Sequence, residues 1–320
     1  MKIRDDFVRD NNRITILSNG GEPISIPGHW RPILDGCDML IVIPDMHMFY
    51  YSSPLDRFRF GASAMLEFLA YLQSLRQYLS ASGGRLRIYQ LGDLYELRYP
   101  SPRTRLNITP REIRLSHPVY DSIASRLHAL DACIIYGNHD YEQRRRSGAL
   151  FNAFEGKVYL EHGYAAEPWY RFSNPHKLLW GLSMRLLFAY RQLQLIFGTL
   201  RDRLRPDSRR NLHADEVAAE GVHTGLVDIS NYPQTNLKYY RRLISRLGKT
   251  DRPPRLCIVS HTHRAYIDPA FAGGNAMYVD AGAWTDGHSE FVVITNEELA
   301  ICRYDQIGLA SIRQTHREAV

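Results

Sequence analysis

The chain has few cysteines, no long apolar run and no repeat, and each absence narrows what it can be. Its four cysteines, Cys37, Cys133, Cys257 and Cys302, are scattered over 320 residues with no C-x-x-C pair, which argues against a disulfide framework or a thiolate metal site. Cys133 and Cys257 lie inside apolar runs and read as reduced core residues. The opening "MKIRDDFVRDNNR" mixes charges of both signs and lacks an apolar segment, so a secretory signal is not expected and a cytoplasmic location is. Two catalytic templates also fail. "GASAM" lacks the second glycine of a nucleophile elbow, and "GKT" at Gly248 to Thr250 has Leu243 where a phosphate loop needs its first glycine.

What is present is a large globular composition. At 44% hydrophobic, the chain can bury a sizeable core, as one domain of residues 1–320 carrying an insertion. A net charge of +6 favours anionic partners: a phosphorylated metabolite, nucleic acid or an acidic membrane surface. Basic clusters stand at Arg144, Arg145 and Arg146 and in "RDRLRPDSRR", residues 201–210, each readable simply as a solvated face.

Short runs rich in β-branched residues recur at 39–44, 86–91, 132–136, 157–161 and 255–260. Helical spacing fills 62–79 and 119–130 between the early ones, so an α/β sheet is predicted. Later, "NAMYVDAG", "EFVVIT" and "LAICRY" follow one another with only turns between them, which predicts antiparallel pairing in the second half. Residues 176–250 break the alternation with no convincing strand, and Leu178, Leu182, Leu186, Ala189, Leu193, Ile196 and Leu200 keep a three-or-four spacing. They predict a helical insertion. Its apolar face either packs on its own domain or forms a cap that receives an acyl chain or lies peripherally on a membrane, since the run "LLWGLSM" is far too short to span a bilayer.

The chemistry sits at strand ends. The first apolar strand runs into Asp45-x-His47, and in extended backbone residues two apart project to one side. The second ends in Gly92-Asp93, the third in Gly137-Asn138-His139-Asp140, the fourth in His162-Gly163 and the fifth in His261-x-His263. Any one of these is ordinary turn or loop polarity. Five consecutive strand ends bearing oxygen or imidazole donors point to a metal centre, because ligands in open α/β sheets gather beyond the strand ends.

This series resembles the calcineurin-like metallophosphoesterase family, over residues 41–263. The resemblance implies a four-layer α/β/β/α sandwich and two divalent ions, with Mn favoured and Fe or Zn as alternatives. It implies that one ion takes Asp45, His47 and His263, that the other takes Asn138, His162 and His261, and that Asp93 bridges them. The implied reaction is hydrolysis of a phosphoester or pyrophosphate bond by a metal-activated hydroxide, a phosphatase-type chemistry. His139 is assigned the leaving oxygen, either stabilising its charge or protonating it, with Glu96 as the acidic partner that orients it and Asp140 as an alternative partner. In the family the last motif usually begins with Gly, where this chain has Ser260.

Arg264, beside the last ligand, and Arg144, Arg145 and Arg146 are candidate substrate-binding cations. A narrower likeness, carried by "WYRFSNPHKLLWGLSMRLLF" and "YVDAGAWTDGHSEFVVITNEELAICRY", is to the branch that splits UDP-diacylglucosamine, which would make the substrate a UDP-sugar lipid at the inner membrane surface. The alternative is a metal-dependent phosphodiesterase or nuclease acting on nucleotides or nucleic acid.

Overall fold

The apolar, β-branched runs form strands, and the three-or-four-spaced segments between them form helices. In the computed structural model the described residues are 13–30, 32–51, 53, 56–98, 108–140, 150–164, 254–268, 276–285 and 287–305, with Lys2, Ile3 and Phe7. All belong to one compact unit. The expected insertion, 176–250, its basic stretch 201–210, and Arg144, Arg145 and Arg146 lie outside the described residues.

A seven-stranded mixed sheet contains β1 (Ile14–Ile16), β2 (Ile24–Ser25), β3 (Met39–Ile43), β4 (Leu86–Leu91), β5 (Cys133–Ile135), β11 (Glu290–Thr295) and β12 (Glu298–Tyr304). Its order is β1-β12-β11-β3-β4-β5, with β2 also on β12. The neighbours β3, β4 and β5 run parallel, so their carboxyl ends emerge together. A five-stranded sheet holds β6 (Asn152–Glu155), β7 (Val158–Glu161), β8 (Leu256–Val259), β9 (Tyr266–Asp268) and β10 (Met277–Asp280), in the order β6-β7-β8-β10-β9.

The expected antiparallel second half is only partly found. β11 pairs antiparallel with both β12 and β3, but β10 lies parallel to β8. The three-residue β9 makes the difference: it follows β8, pairs antiparallel with β10 and lets the chain return in the original direction.

Helix α1 (Ala62–Ala81) buries Met65, Phe68, Leu69, Leu72, Leu75 and Leu79, a stripe at helical spacing. It closes where Gly84 donates its amide to the Leu79 carbonyl at 2.8 Å. Helix α2 (Pro110–Ser116) starts at a capping box in which Thr109 and Glu112 satisfy each other's backbone amides, with Pro110 in the first turn. Helix α3 (Pro118–Ala129) buries Tyr120, Ile123 and Leu127.

These helices share a core with Met39, Ile41, Ile43, Phe291 and Val293 on one face of the seven-stranded sheet. The other face, with Leu40, Val42, Leu91 and Ile294, meets Val158, Leu160, Leu256, Ile258 and Val279 of the second sheet. The described residues therefore form a helix layer and two stacked mixed sheets. The alternating side-chain direction along β3 sends odd and even residues to different cores, which explains why all five of its residues are apolar and buried. Among the described residues no helix is long and apolar enough to cross a membrane.

Candidate metal centre

Three loops leave β3, β4 and β5 side by side and are laced together by their backbones. His47 and Met48 donate to the Asp93 and Leu94 carbonyls at 2.7 and 3.0 Å, Glu96 donates to Met48 at 2.9 Å, and Leu97 donates to His139 at 3.2 Å. The Asp140 carboxylate fastens two of them by accepting from Leu94 N at 3.0 Å and Gly137 N at 2.7 Å. Burial, and then the charge of Asp93, push Asp140 up to about 7. Asp140 is thus occupied with backbone amides, and the partner of the His139 ring is Glu96, whose Oε2 lies 2.5 Å from Nδ1.

The second sheet reaches the same place through β7 and β8. Ser260 N donates to the His162 carbonyl at 3.0 Å, and His261 N donates to Asp45 Oδ2 at 3.1 Å. Asp45 itself is wholly buried at the junction of the two sheets.

Three overlapping sets of donor atoms result: Asp45, His47 and His263; His47, Asp93 and His139; and Asp93, His162 and His261, each with ligand atoms within 4.8 Å of one another. Several separations match those between neighbouring ligands of one ion. His47 Nε2 and His263 Nε2 are 3.1 Å apart, His263 Nε2 and Asp45 Oδ2 3.1 Å, and His162 Nε2 and Asp93 Oδ2 3.1 Å. Metal–ligand bonds of about 2.1 Å place adjacent donors roughly 3.0 to 3.4 Å apart. The donor set fits a divalent ion. The first set holds the residues expected at one site and the third holds two of those expected at the other; Asp93 belongs to the second and third sets and lies 3.6 Å from His47 Nε2 of the first, while the middle set brings His139 within ligand reach as well.

Asn138 lies beside the third set. Its amide oxygen lies 2.9 Å from His162 Nε2, with Asp93 and His261 as the other neighbours on that side and Arg98 on the opposite side. Facing those acceptors, the oxygen is placed as a cation ligand. With the amide turned over, its nitrogen hydrogen-bonds to them instead and its oxygen accepts from Arg98.

The backbone at these ligands is strained. Of the five non-glycine residues with positive φ among the described residues, four are site residues: His47 at 49°, Asp93 at 46°, His261 at 79° and His263 at 57°. Left-handed backbone disfavours side chains with a Cβ, so its concentration here marks a site that the surrounding packing holds in place. The convergence of Asp45 with His47, and of His261 with His263, therefore comes from sharp turns, not from the alternation of an extended strand. Glycines make room for those turns. A Cβ on Gly137 would stand 1.9 Å from Asp93 Oδ1, and one on Gly92 would stand 2.7 Å from the His162 ring.

No family model matches this chain, and no curated protein does. The assignment of the centre rests on its own residues.

Electrostatics agree with a site built for cations. Burial would raise Asp45 and Asp93, but His162 and the other imidazoles outweigh it and hold both carboxylates well below their ordinary range. Burial likewise would lower His47, yet Glu96 and Asp93 carry it up to about 9. For His139, burial and then Arg98 win over Glu96 and bring it down to about 4. The same carboxylates raise His162 as well, so protons and a divalent ion compete for the His47 and His162 nitrogens.

Two contributors were not identified from sequence. Ser260 donates Oγ to Asp45 Oδ1 at 2.5 Å and lies 3.2 Å from His162 Nδ1, so it orients a candidate ligand from each sheet. Arg98 ties the loops together through Nε to the Asn138 carbonyl at 3.1 Å and its amide to Glu96 Oε1 at 3.1 Å. Its place two residues after Glu96 was the only available signal. Arg264 is exposed beside His263.

Two outcomes follow. Because His47 is raised from 6.5 to about 9 in the folded state, its pairing contributes stability fully below 6.5 and loses it as pH rises through about 9. Chelator-treated protein should therefore lose urea stability across that window, while metal-loaded protein, whose ligands are already deprotonated, should not; parallel curves would contradict this. Second, in chelator, His263→Gly should be more stable than His263→Ala by roughly 0.5 to 1 kcal/mol, the left-handed penalty less glycine's extra unfolded-state freedom. An alanine variant of higher stability would show the turn to be unstrained.

Proposed function

We propose that the protein is a metal-dependent hydrolase of phosphoester or pyrophosphate bonds, with the four-layer α/β/β/α arrangement that the motif series implies. The overlap of the three donor sets at His47 and Asp93 carries this reading, since adjacent ions with a common carboxylate are the arrangement suited to in-line displacement at phosphorus. Asp45, His47 and His263 would hold one ion, Asn138, His162 and His261 the second, and Asp93 both. Mixed carboxylate, amide and imidazole donors favour Mn, with Fe or Zn also compatible. When bound, such ions supply Lewis-acid charge to the phosphoryl oxygens and lower the pKa of water.

The chain's own residues handle the proton. Glu96 holds the His139 ring through Nδ1, fixing the tautomer in which Nε2 carries the lone pair. Burial and Arg98 lower the ring to about 4, so an imidazolium formed with a proton from solvent is a ready acid, and Nε2 gives that proton to the leaving oxygen while the attacking water, on the opposite side of phosphorus, loses its own to solvent. One P–O bond forms to water, one P–O bond breaks, and the proton ends on the released alcohol or phosphate. Ser260 and the Asp93 backbone contacts fix the ligands in place and perform no chemistry.

A UDP-sugar lipid remains the substrate that the narrower likeness suggests, and nucleotides or nucleic acid the alternative. The test is turnover of an aryl phosphodiester, UDP-diacylglucosamine and single-stranded DNA with Mn²⁺ and with chelator. Metal-dependent cleavage is expected, with His139→Ala losing about 10²-fold or more of the rate while keeping its metal, and Asp93→Ala losing both. Wild-type rates in both variants would sink the assignment. Release of UMP selects the lipid, and DNA cleavage alone selects the nuclease.

A further inference from the structure

A cavity of about 550 Å³ opens beside the metal centre, between the β1-β2-β12 edge of the larger sheet and β9 of the smaller one. That size lies within the usual range of small-molecule sites. His263, a member of the first donor set, forms part of its wall, and Arg264 follows it. The rest of the wall is largely apolar: Leu17, Ile24, Ile267 and Ile301. Ile24 and Ile267 are only partly buried and rest against the core between the sheets, so each offers its outer side to the cavity. Tyr266 and the exposed His288 supply flat faces. The one acid on the wall, Glu290, accepts from Ala283 N at 3.3 Å and lies 3.0 Å from His288 Nδ1, so its carboxylate is held against the wall.

We infer that this cavity binds a planar apolar group attached to an anionic head, the head lying towards His263 and Arg264. Resting on the phosphoester reading, this makes the preferred substrate an ester whose organic part is an aryl or similar ring-sized apolar group. A strongly polar sugar or a nucleic acid backbone would leave the isoleucine wall exposed to water. An apolar ring removes that wall from water, and the gain scales with the area covered. His263 links this wall to the donor set it shares with Asp45 and His47, so the anionic head lies at the metal-centre end and the ring against the isoleucines.

The cavity can be tested apart from catalysis with 8-anilinonaphthalene-1-sulfonate, an anionic aryl probe whose fluorescence reports apolar burial. The intact protein should bind one equivalent. Ile267→Trp and Leu17→Trp, which fill the cavity from opposite sheets at sites that are not fully buried, should each weaken binding about tenfold. Phenylphosphonate should displace the probe at about one tenth the concentration of ethylphosphonate. Unaltered probe affinity in both folded variants, or equal potency of the two phosphonates, would overturn the inference. Probe binding of the expected kind in a protein that cleaves no phosphoester would instead count against the hydrolase reading and leave the cavity assignment intact.

Discussion

Two carboxylates, Asp45 and Asp93, are buried where the ends of both sheets meet, and the rest of the site answers to that constraint. An isolated buried carboxylate is costly, so each must be met by positive charge and hydrogen-bond donors. Asp45 receives Ser260 Oγ and the His261 amide from the second sheet, and Asp93 receives the His139 amide at 2.7 Å from the neighbouring loop. Imidazoles from four loops supply the remainder. Joining the two sheets and collecting cation ligands are thus one requirement, because the same carboxylates do both.

That requirement also explains the backbone. Bringing so many short polar side chains to one place demands turns too sharp for ordinary φ, and His47, Asp93, His261 and His263 all adopt left-handed backbone. Gly92, itself at a φ of 94°, and Gly137 are needed for space, since any Cβ there would strike His162 or Asp93. The cost is carried by the apolar layers below, where β3 is buried on both faces. Strain at the rim and dense packing beneath it divide the work of the fold between binding and stability.

Much of this was legible in the sequence because it is local. The long strands β3, β4, β11 and β12 and the helix α1 follow from runs and spacings whose pattern decides their type. Each ligand was visible as a polar residue terminating such a run. The short strands β1, β2, β6 and β9, of two to four residues, carry too little pattern to be recognised, and β9 alone reverses the expected direction of β10. The division into two sheets is a tertiary fact that no window of residues contains. Asp45 and His47 do converge, but through the left-handed backbone at His47 and not through strand alternation. Arg98 and Ser260 act only through contacts across loops, Ser260 with residues 45 and 162, and such contacts leave no spacing to read.

The central claim is that these donors form a centre for two ions. Its most direct test is the metal content of the purified full-length chain after equilibration with Mn²⁺ and removal of unbound ion, measured by inductively coupled plasma mass spectrometry. The account predicts two equivalents per chain, falling in Asp93→Ala because the shared carboxylate is lost. A wild-type chain that retains no metal, or an Asp93→Ala variant that retains both equivalents, would contradict it.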